Sequence, residues 1–245
     1  YRKGRKAGCE DAAERKAMLE ILKAVLFGVV EGITEWLPIS STGHMILLDE
    51  FVKLDVSADF WDMFLVVIQF GAILAVILLY WKTIWPLGIY RHRKRTRIIW
   101  KKDTLNLWGK TIVACIPAAI VGVLLDDWLN EHLYNWLVVA IMLIAVGIAF
   151  LIVENTQKNR EPVTTELKDL TIRQALIIGL FQLIAAVFPG TSRSGATIIG
   201  GLMIGVSRTV AAEFTFILAI PVMAGASLLK MLKFGFHFTG MEAAI

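Results

Sequence analysis

The sequence predicts an all-α, polytopic membrane protein built from two inverted-topology repeats, each containing a re-entrant helix–loop–helix hairpin. Three observations predict it. Charge is excluded from long apolar runs, one loop between those runs is strongly basic, and two apolar segments break at matching places. Of 245 residues, 57% are hydrophobic and 19% charged. A soluble domain runs nearer half apolar and a quarter charged. This composition excludes a disordered, collagen-like or coiled-coil chain and argues against an ordinary soluble enzyme. A net charge of +4 is too small an excess for a nucleic-acid partner. Cys9 and Cys115 lack metal-ligand spacing, and Cys115 sits in an apolar run as a buried free thiol would.

The apolar runs give the spans. Met63 to Trp81, Leu133 to Val153, Gln174 to Ser192 and Phe214 to Leu229 contain no Asp, Glu, Lys or Arg. Runs of about 20 apolar residues cross a bilayer as helices. Full spans are expected at about 61–81, 107–128, 134–154 and 209–232. Residues 1–17 are polar, without a removable signal peptide, and Tyr1 is not a natural start, so the chain is expected to begin inside its gene.

The basic loop gives the orientation. Arg91, Arg93, Lys94, Arg95, Arg97, Lys101 and Lys102 precede the next acid, Asp103. Short loops this basic stay in the cytoplasm, so the cluster is a topology signal rather than a nucleic-acid site. The polar loop at 155–173 then returns to the cytoplasm after two more crossings.

The broken segments give the hairpins. Residues 19–54 are interrupted by Pro38-Ile39-Ser40-Ser41-Thr42-Gly43, and 172–205 by Pro189-Gly190-Thr191-Ser192-Arg193-Ser194-Gly195. Proline ends a helix by removing a donor and clashing with the preceding turn. Non-helical backbone at membrane depth survives only inside protein or beside a wet cavity, so both segments read as re-entrant hairpins, with a kinked full span as the alternative. They also match each other. Gly28 to Pro38 aligns with Gly179 to Pro189 at an offset of 151, which continues as Ser41 to Ser192, Thr42 to Arg193 and Asp62 to Glu213. With the basic loop inside, the first hairpin opens outside and the second enters from inside, so the repeats are antiparallel and meet near the midplane. The expected organisation is an N-terminal extension at 1–17 and a first repeat at 18–130. A linking span and loop follow at 131–170, then a second repeat at 171–245.

Ionisable groups inside such segments are costly and point to function. Glu31 and Glu35 are four apart, so a helix places both carboxylates on one face. The pair suits a divalent cation, which binds through one or two carboxylates plus substrate phosphate, or general acid–base work. Ser40, Ser41, Thr42 and His44 follow the first break. A hydroxyl becomes a nucleophile beside a base, and Ser41 and His44 have i, i+3 spacing. The second break places Gly190, Ser192, Arg193, Ser194 and Thr197 at a half-helix start. Helix N-termini favour anions, glycine admits close backbone approach, and Arg adds a bidentate phosphate fork. Arg193 paired with Glu31 or Glu35 is the competing structural reading. Together these residues describe a phosphate or diphosphate site and metal-assisted phosphoryl transfer.

Glu31-x-x-x-Glu35, the run Ser40 to His44, and Pro189 to Thr197 resemble the undecaprenyl-diphosphate phosphatase family of bacteria, the bacitracin-resistance type, over about residues 20–240. The resemblance implies removal of the terminal phosphate of undecaprenyl diphosphate, which regenerates the lipid carrier of cell-wall synthesis. It implies a catalytic set of Glu31, Glu35, His44 and Arg193, with Ser41 as nucleophile or His44 activating a water. Ser40, Thr42, Gly190, Thr191, Ser192, Arg193, Ser194 and Thr197 would hold the phosphates. Glu31 and Glu35 would hold Mg²⁺ or Ca²⁺. The implied place is the bacterial inner membrane, with the site opening to the extracytoplasmic face. Substrate and membrane lipid are the expected partners, and a homodimer is left open. Family members continue with further spans, and the partner of span 107–128 is expected at about 258–279, so the second repeat reads as truncated. The rival reading is a transporter or flippase for a phosphorylated lipid or small anion, since inverted repeats with broken helices also build transporters.

Overall fold

The computed structural model describes the backbone of residues 2–92, 95–133, 136–235 and 237–245, and their side chains except 2–13, 89–92, 95–97, 126, 127 and 130. Helix α1 (Arg2–Thr34) leads into the first break, α2 (Ser41–Phe51) and α3 (Ala58–Leu79). After a short α4 (Trp81–Ile84), strands β1 (Leu87–His92) and β2 (Arg95–Trp100) precede α5 (Lys102–Leu133) and α6 (Trp136–Gln157). Helix α7 (Ile172–Val187) leads into the second break, α8 (Arg193–Met203) and α9 (Arg208–Phe234). Helices α3, α5, α6 and α9 are long and apolar enough to cross a membrane. The chain is a mostly helical, multi-pass membrane protein. Each expected span is present, and residues 2–17 share one helix with the apolar segment that follows them.

Local sequence explains the starts. Ser57 accepts the amide of Phe60 at the head of α3, and Ser207 accepts that of Val210 at the head of α9. Thr171 and Gln174 form a reciprocal capping box on α7. Ser40 and Ser192 cap α2 and α8 by accepting the amides of Gly43 and Gly195. These caps correct the expected register. Ser40 and Ser192 lie one residue further apart than Pro38 and Pro189, because Gly190 and Thr191 stand where the first break has only Ile39. Ser41 therefore corresponds to Arg193 rather than Ser192. The caps Ser57 and Ser207 lie one residue closer than the prolines, so Asp62 does not fall on Glu213.

A second correction concerns the basic loop. β1 and β2 pair antiparallel from Leu87 with Trp100 to His92 with Arg95. Arg93 and Lys94 lie outside the described residues, as do the side chains of Arg91, Arg95 and Arg97 and that of Cys9.

The main core joins α3, α5, α7 and α9 through Ile73, Val76, Ala114, Ile178, Phe214, Ile217 and Leu218. A second cluster of Phe27, Met45, Phe60, Met63 and Phe64 holds α1 and α2 against α3. The α5–α7 crossing is close because Gly179 has no side chain: a Cβ there would lie 2.3 Å from the Ala114 carbonyl oxygen. The C-terminal residues fold back on the head of α3. Buried Glu242 accepts from the Ser57 hydroxyl (2.6 Å), the Ser57 amide (3.0 Å) and the Thr239 amide (2.8 Å).

Two predictions follow from this packing. Gly179→Val must push α5 from α7, so the thermal midpoint in detergent should fall by the equivalent of about 1–3 kcal/mol or more. An unchanged midpoint would show that the crossing is not tight. The Ser57 hydroxyl leads the bonds that hold the Glu242 carboxyl well below the ordinary carboxylate range, at about 2. A lowered folded value stabilises the fold above the unfolded pKa, and that stability is lost as pH falls toward the folded value. Glu242→Gln should therefore destabilise most near neutral pH, with the gap to wild type closing between about pH 4.5 and 2. A pH-independent gap in unfolding midpoints would contradict the assignment.

Candidate active site

The two breaks meet. Arg193, the first residue of α8, ion-pairs through Nη2 with Oε1 of Glu35. Ser194 Oγ donates to the carbonyl of Leu37 at 3.3 Å. The other Glu35 oxygen, Oε2, accepts from Ser41 Oγ at 2.6 Å. Glu35 thus ties the end of the first hairpin's leading helix to the first residues of both half-helices. Its side chain is 11% exposed and that of Arg193 18%. A pair this sheltered is held by geometry as well as charge.

Glu31 lies one helical turn before Glu35 and is fully buried. Neither carboxylate oxygen has a hydrogen-bond partner among the described residues. Its electrostatic neighbours are Glu35, Ser41 and Arg193. Such a carboxylate is costly inside a membrane unless a cation or proton meets it.

Ser40 sets the first half-helix. Alone among the described non-glycine residues it has positive φ, 62°. Such backbone costs about 1–3 kcal/mol and marks functional turns. The bend directs the Ser40 carbonyl at His44, whose Nδ1 lies 2.9 Å away. A carbonyl only accepts, so this bond assigns the proton to Nδ1 and leaves Nε2 as the basic nitrogen. The expected Ser41–His44 pair is not made: Ser41 donates to Glu35 and His44 bonds backbone.

On the second break, Gly190 has φ 84° and runs against Val139 of α6, where a Cβ would lie 2.7 Å from the Val139 carbonyl oxygen. Glycine alone suits both demands. Ser192 caps α8 and contacts Ser194 at 3.2 Å. Thr191 is buried, and among the described residues neither its hydroxyl nor the buried Arg193 Nη1 has a hydrogen-bond partner. Thr197 turns away from the break, donating to the Arg193 carbonyl at 2.9 Å and accepting from Thr215. Thr42 has no described side-chain bond. A narrow cleft beside the ion pair is lined by Glu35, Trp36, Arg193, Ser194, Thr215 and Phe216, with Ala72, Ile73, Val76 and Ala219 behind them.

Sequence reasoning passed over Trp36, Thr215 and Gln182. Trp36 packs on Phe216 with ring centres 5.3 Å apart. Gln182 is 2% exposed and neither amide atom has a partner among the described residues. The available signal was an amide in a charge-free run, seven residues before Pro189 as Glu31 is before Pro38.

The family model described as bacitracin resistance protein BacA matches residues 24–245. The chain belongs to this family. That agrees with the resemblance read from the motifs. Similar proteins include the undecaprenyl-diphosphatase of Desulfitobacterium hafniense, 61% identical over 94% of this chain and 81% of that protein. The undecaprenyl-diphosphatase of Enterococcus faecalis is 55% identical over 91% of this chain and 80% of its own length. Undecaprenyl-diphosphatase 1 of Clostridium acetobutylicum is 57% identical over 93% and 81% respectively. All matched regions span both broken segments, so the likeness covers the candidate site.

Removing one partner of the central pair strands the other. Arg193→Ala leaves Glu35 buried and unpaired, which should lower stability by about 3–5 kcal/mol, and adding Glu35→Leu should recover much of it. Denaturation in detergent measures both. A double variant no more stable than Arg193→Ala would show that the pair acts through something other than charge.

Proposed function

We propose that the protein hydrolyses undecaprenyl diphosphate to undecaprenyl phosphate and inorganic phosphate. The observation that carries this is the junction of the two breaks. One helix N-terminus with Arg193 faces two carboxylates and a hydroxyl inside a membrane protein whose relatives bear that enzyme's name. The diphosphate head enters the junction while the polyprenyl chain stays in lipid. Arg193 and the free amides opening α8 take the phosphate charge.

Ser41 would attack. Its hydroxyl already donates a hydrogen bond to a Glu35 oxygen. A diphosphate that takes over Arg193 releases Glu35 to accept that proton fully. The Ser41 Oγ–P bond forms as the bridging P–O bond breaks, and undecaprenyl phosphate leaves. Water then attacks the phosphoserine phosphorus as the P–Oγ bond breaks: His44 Nε2 takes the water's proton, the protonated Glu35 returns its proton to Ser41 Oγ, and phosphate departs. Direct attack by a His44-activated water is the alternative route.

The donor set fits a hard divalent cation. Glu31 offers two buried oxygens without hydrogen-bond partners among the described residues, and Glu35 would add a second carboxylate. No group of three His, Cys, Asp or Glu gathers among the described residues, so water and substrate oxygens would complete the shell, as suits Mg²⁺ or Ca²⁺. Bound there, the cation neutralises charge on the transferring phosphoryl group. The shared order of helix, break, half-helix and long span supports two inverted repeats whose hairpins enter from opposite faces. On that topology, and with the basic residues around 91–102 in the cytoplasm, the site opens to the extracytoplasmic side of the inner membrane.

Phosphate release from a polyprenyl diphosphate in detergent, with Mg²⁺ or Ca²⁺, tests the reading. Wild-type protein should release one phosphate per lipid. Ser41→Ala should lose most activity, and quenched wild-type turnover should yield phosphoserine at Ser41. Full activity in Ser41→Ala would shift the mechanism to activated water. Absence of phosphate release from wild type, with movement of a phosphorylated lipid across vesicles, would favour a transporter.

A further inference from the structure

Every described buried side-chain nitrogen or oxygen that lacks a partner belongs to one of four residues: Glu31, Gln182, Thr191 and Arg193. Thr191 and Arg193 lie in the second break, and Glu31 and Gln182 each lie seven residues before the proline of a break. The first hairpin contributes only acceptors, the two oxygens of Glu31. The second contributes the Arg193 Nη1 donor, the Thr191 hydroxyl and the Gln182 amide. Three of these residues fall within the cation and anion assignments above; Gln182 does not.

Gln182 is the buried polar residue of α7, whose other buried residues are Ala175, Ile178 and Gly179. An amide held this way forfeits its hydrogen bonds, and a leucine or methionine of similar size would not. It lies seven residues before Pro189, the place Glu31 holds before Pro38. The chemistry differs by a single atom at equivalent positions. A carboxylate before the first break serves a cation. A carboxylate before the second would compete with phosphate for Arg193, whereas an amide donates to phosphate without adding negative charge.

We infer that Gln182 is a further substrate-binding residue, its Nε2 donating to an oxygen of the bound diphosphate on the Arg193 side. This rests on the phosphatase reading. It makes the anion side a three-donor cradle of Arg193, Thr191 and Gln182 set against Glu31.

The test compares wild type with Gln182→Met and Gln182→Glu in detergent with Mg²⁺. KM and kcat are read on a polyprenyl diphosphate, and the thermal midpoint is read with and without inorganic pyrophosphate. Met removes the donor at similar volume. Its midpoint without pyrophosphate should equal or exceed wild type, its KM should rise tenfold or more with kcat changed less, and the pyrophosphate-induced shift should shrink. A donor to a charged group supports a loss of roughly that size. Glu keeps the shape, so it decides the matter if the Met variant does not fold. It should bind pyrophosphate more weakly still. Wild-type KM and a wild-type pyrophosphate shift in either folded variant overturn the inference. Wild type that binds pyrophosphate but releases no phosphate overturns the phosphatase reading instead and leaves the Gln182 comparison to be read from the shifts.

Discussion

The ion pair between Arg193 and Glu35 is the constraint on which the rest depends. Two charges inside a membrane protein are expensive, and their attraction offsets that expense only at close range with further hydrogen bonds. The chain meets both conditions by breaking two helices and bringing the breaks together. Ser41 supplies the extra bond to Glu35, and Ser194 closes the seam on the Leu37 carbonyl. The supporting features serve the same junction. Gly190 passes against α6 at a positive φ, and Gly179 lets α7 lie directly on α5. The aromatic cluster around Phe27, Phe60 and Phe64 holds the first hairpin on α3.

Two segments of the chain share one order of elements and differ in the polar side chains they carry. Both units run helix, break, capped half-helix and long apolar helix. Both half-helices are capped by serine and admit a glycine amide to the cap. The differences sit at equivalent places. Ser41 stands where the second unit has Arg193, and Glu31 where it has Gln182. The first therefore gathers Glu31, Glu35 and the Ser41 hydroxyl, and the second the Arg193 guanidinium, the Thr191 hydroxyl and the Gln182 amide. On the proposed function a diphosphate with its cation would draw on both sets, and neither segment alone holds both.

The spans were legible because exclusion of charge over some twenty residues has few other causes. The candidate polar residues were legible for the same reason, since Glu31, Glu35 and Arg193 are costly at such depth. Pairings were not legible. Spacing favoured Ser41 with His44, yet the positive φ at Ser40 turns His44 onto a backbone carbonyl and leaves Ser41 to Glu35. A constant repeat offset failed because helix starts follow their capping serines, and the connections between caps differ in length. The β-hairpin was hidden because backbone pairing between Leu87 and Trp100 leaves little trace in a run dominated by Arg and Lys. Gln182 was hidden because a neutral amide does not interrupt a charge-free run.

The central pair also explains how a costly site is kept until it is used. Arg193 and Glu35 neutralise one another at the junction. On the proposed function, an entering diphosphate would offer Arg193 a more highly charged partner, and its cation would offer Glu35 another. Glu35 would then pass from an anion bound to Arg193 to a carboxylate whose remaining donor is the Ser41 hydroxyl, from which it already accepts. The residue that joins the two breaks would thereby be the one that substrate binding frees to take the Ser41 proton. On that reading stability and catalysis draw on the same contact in different states.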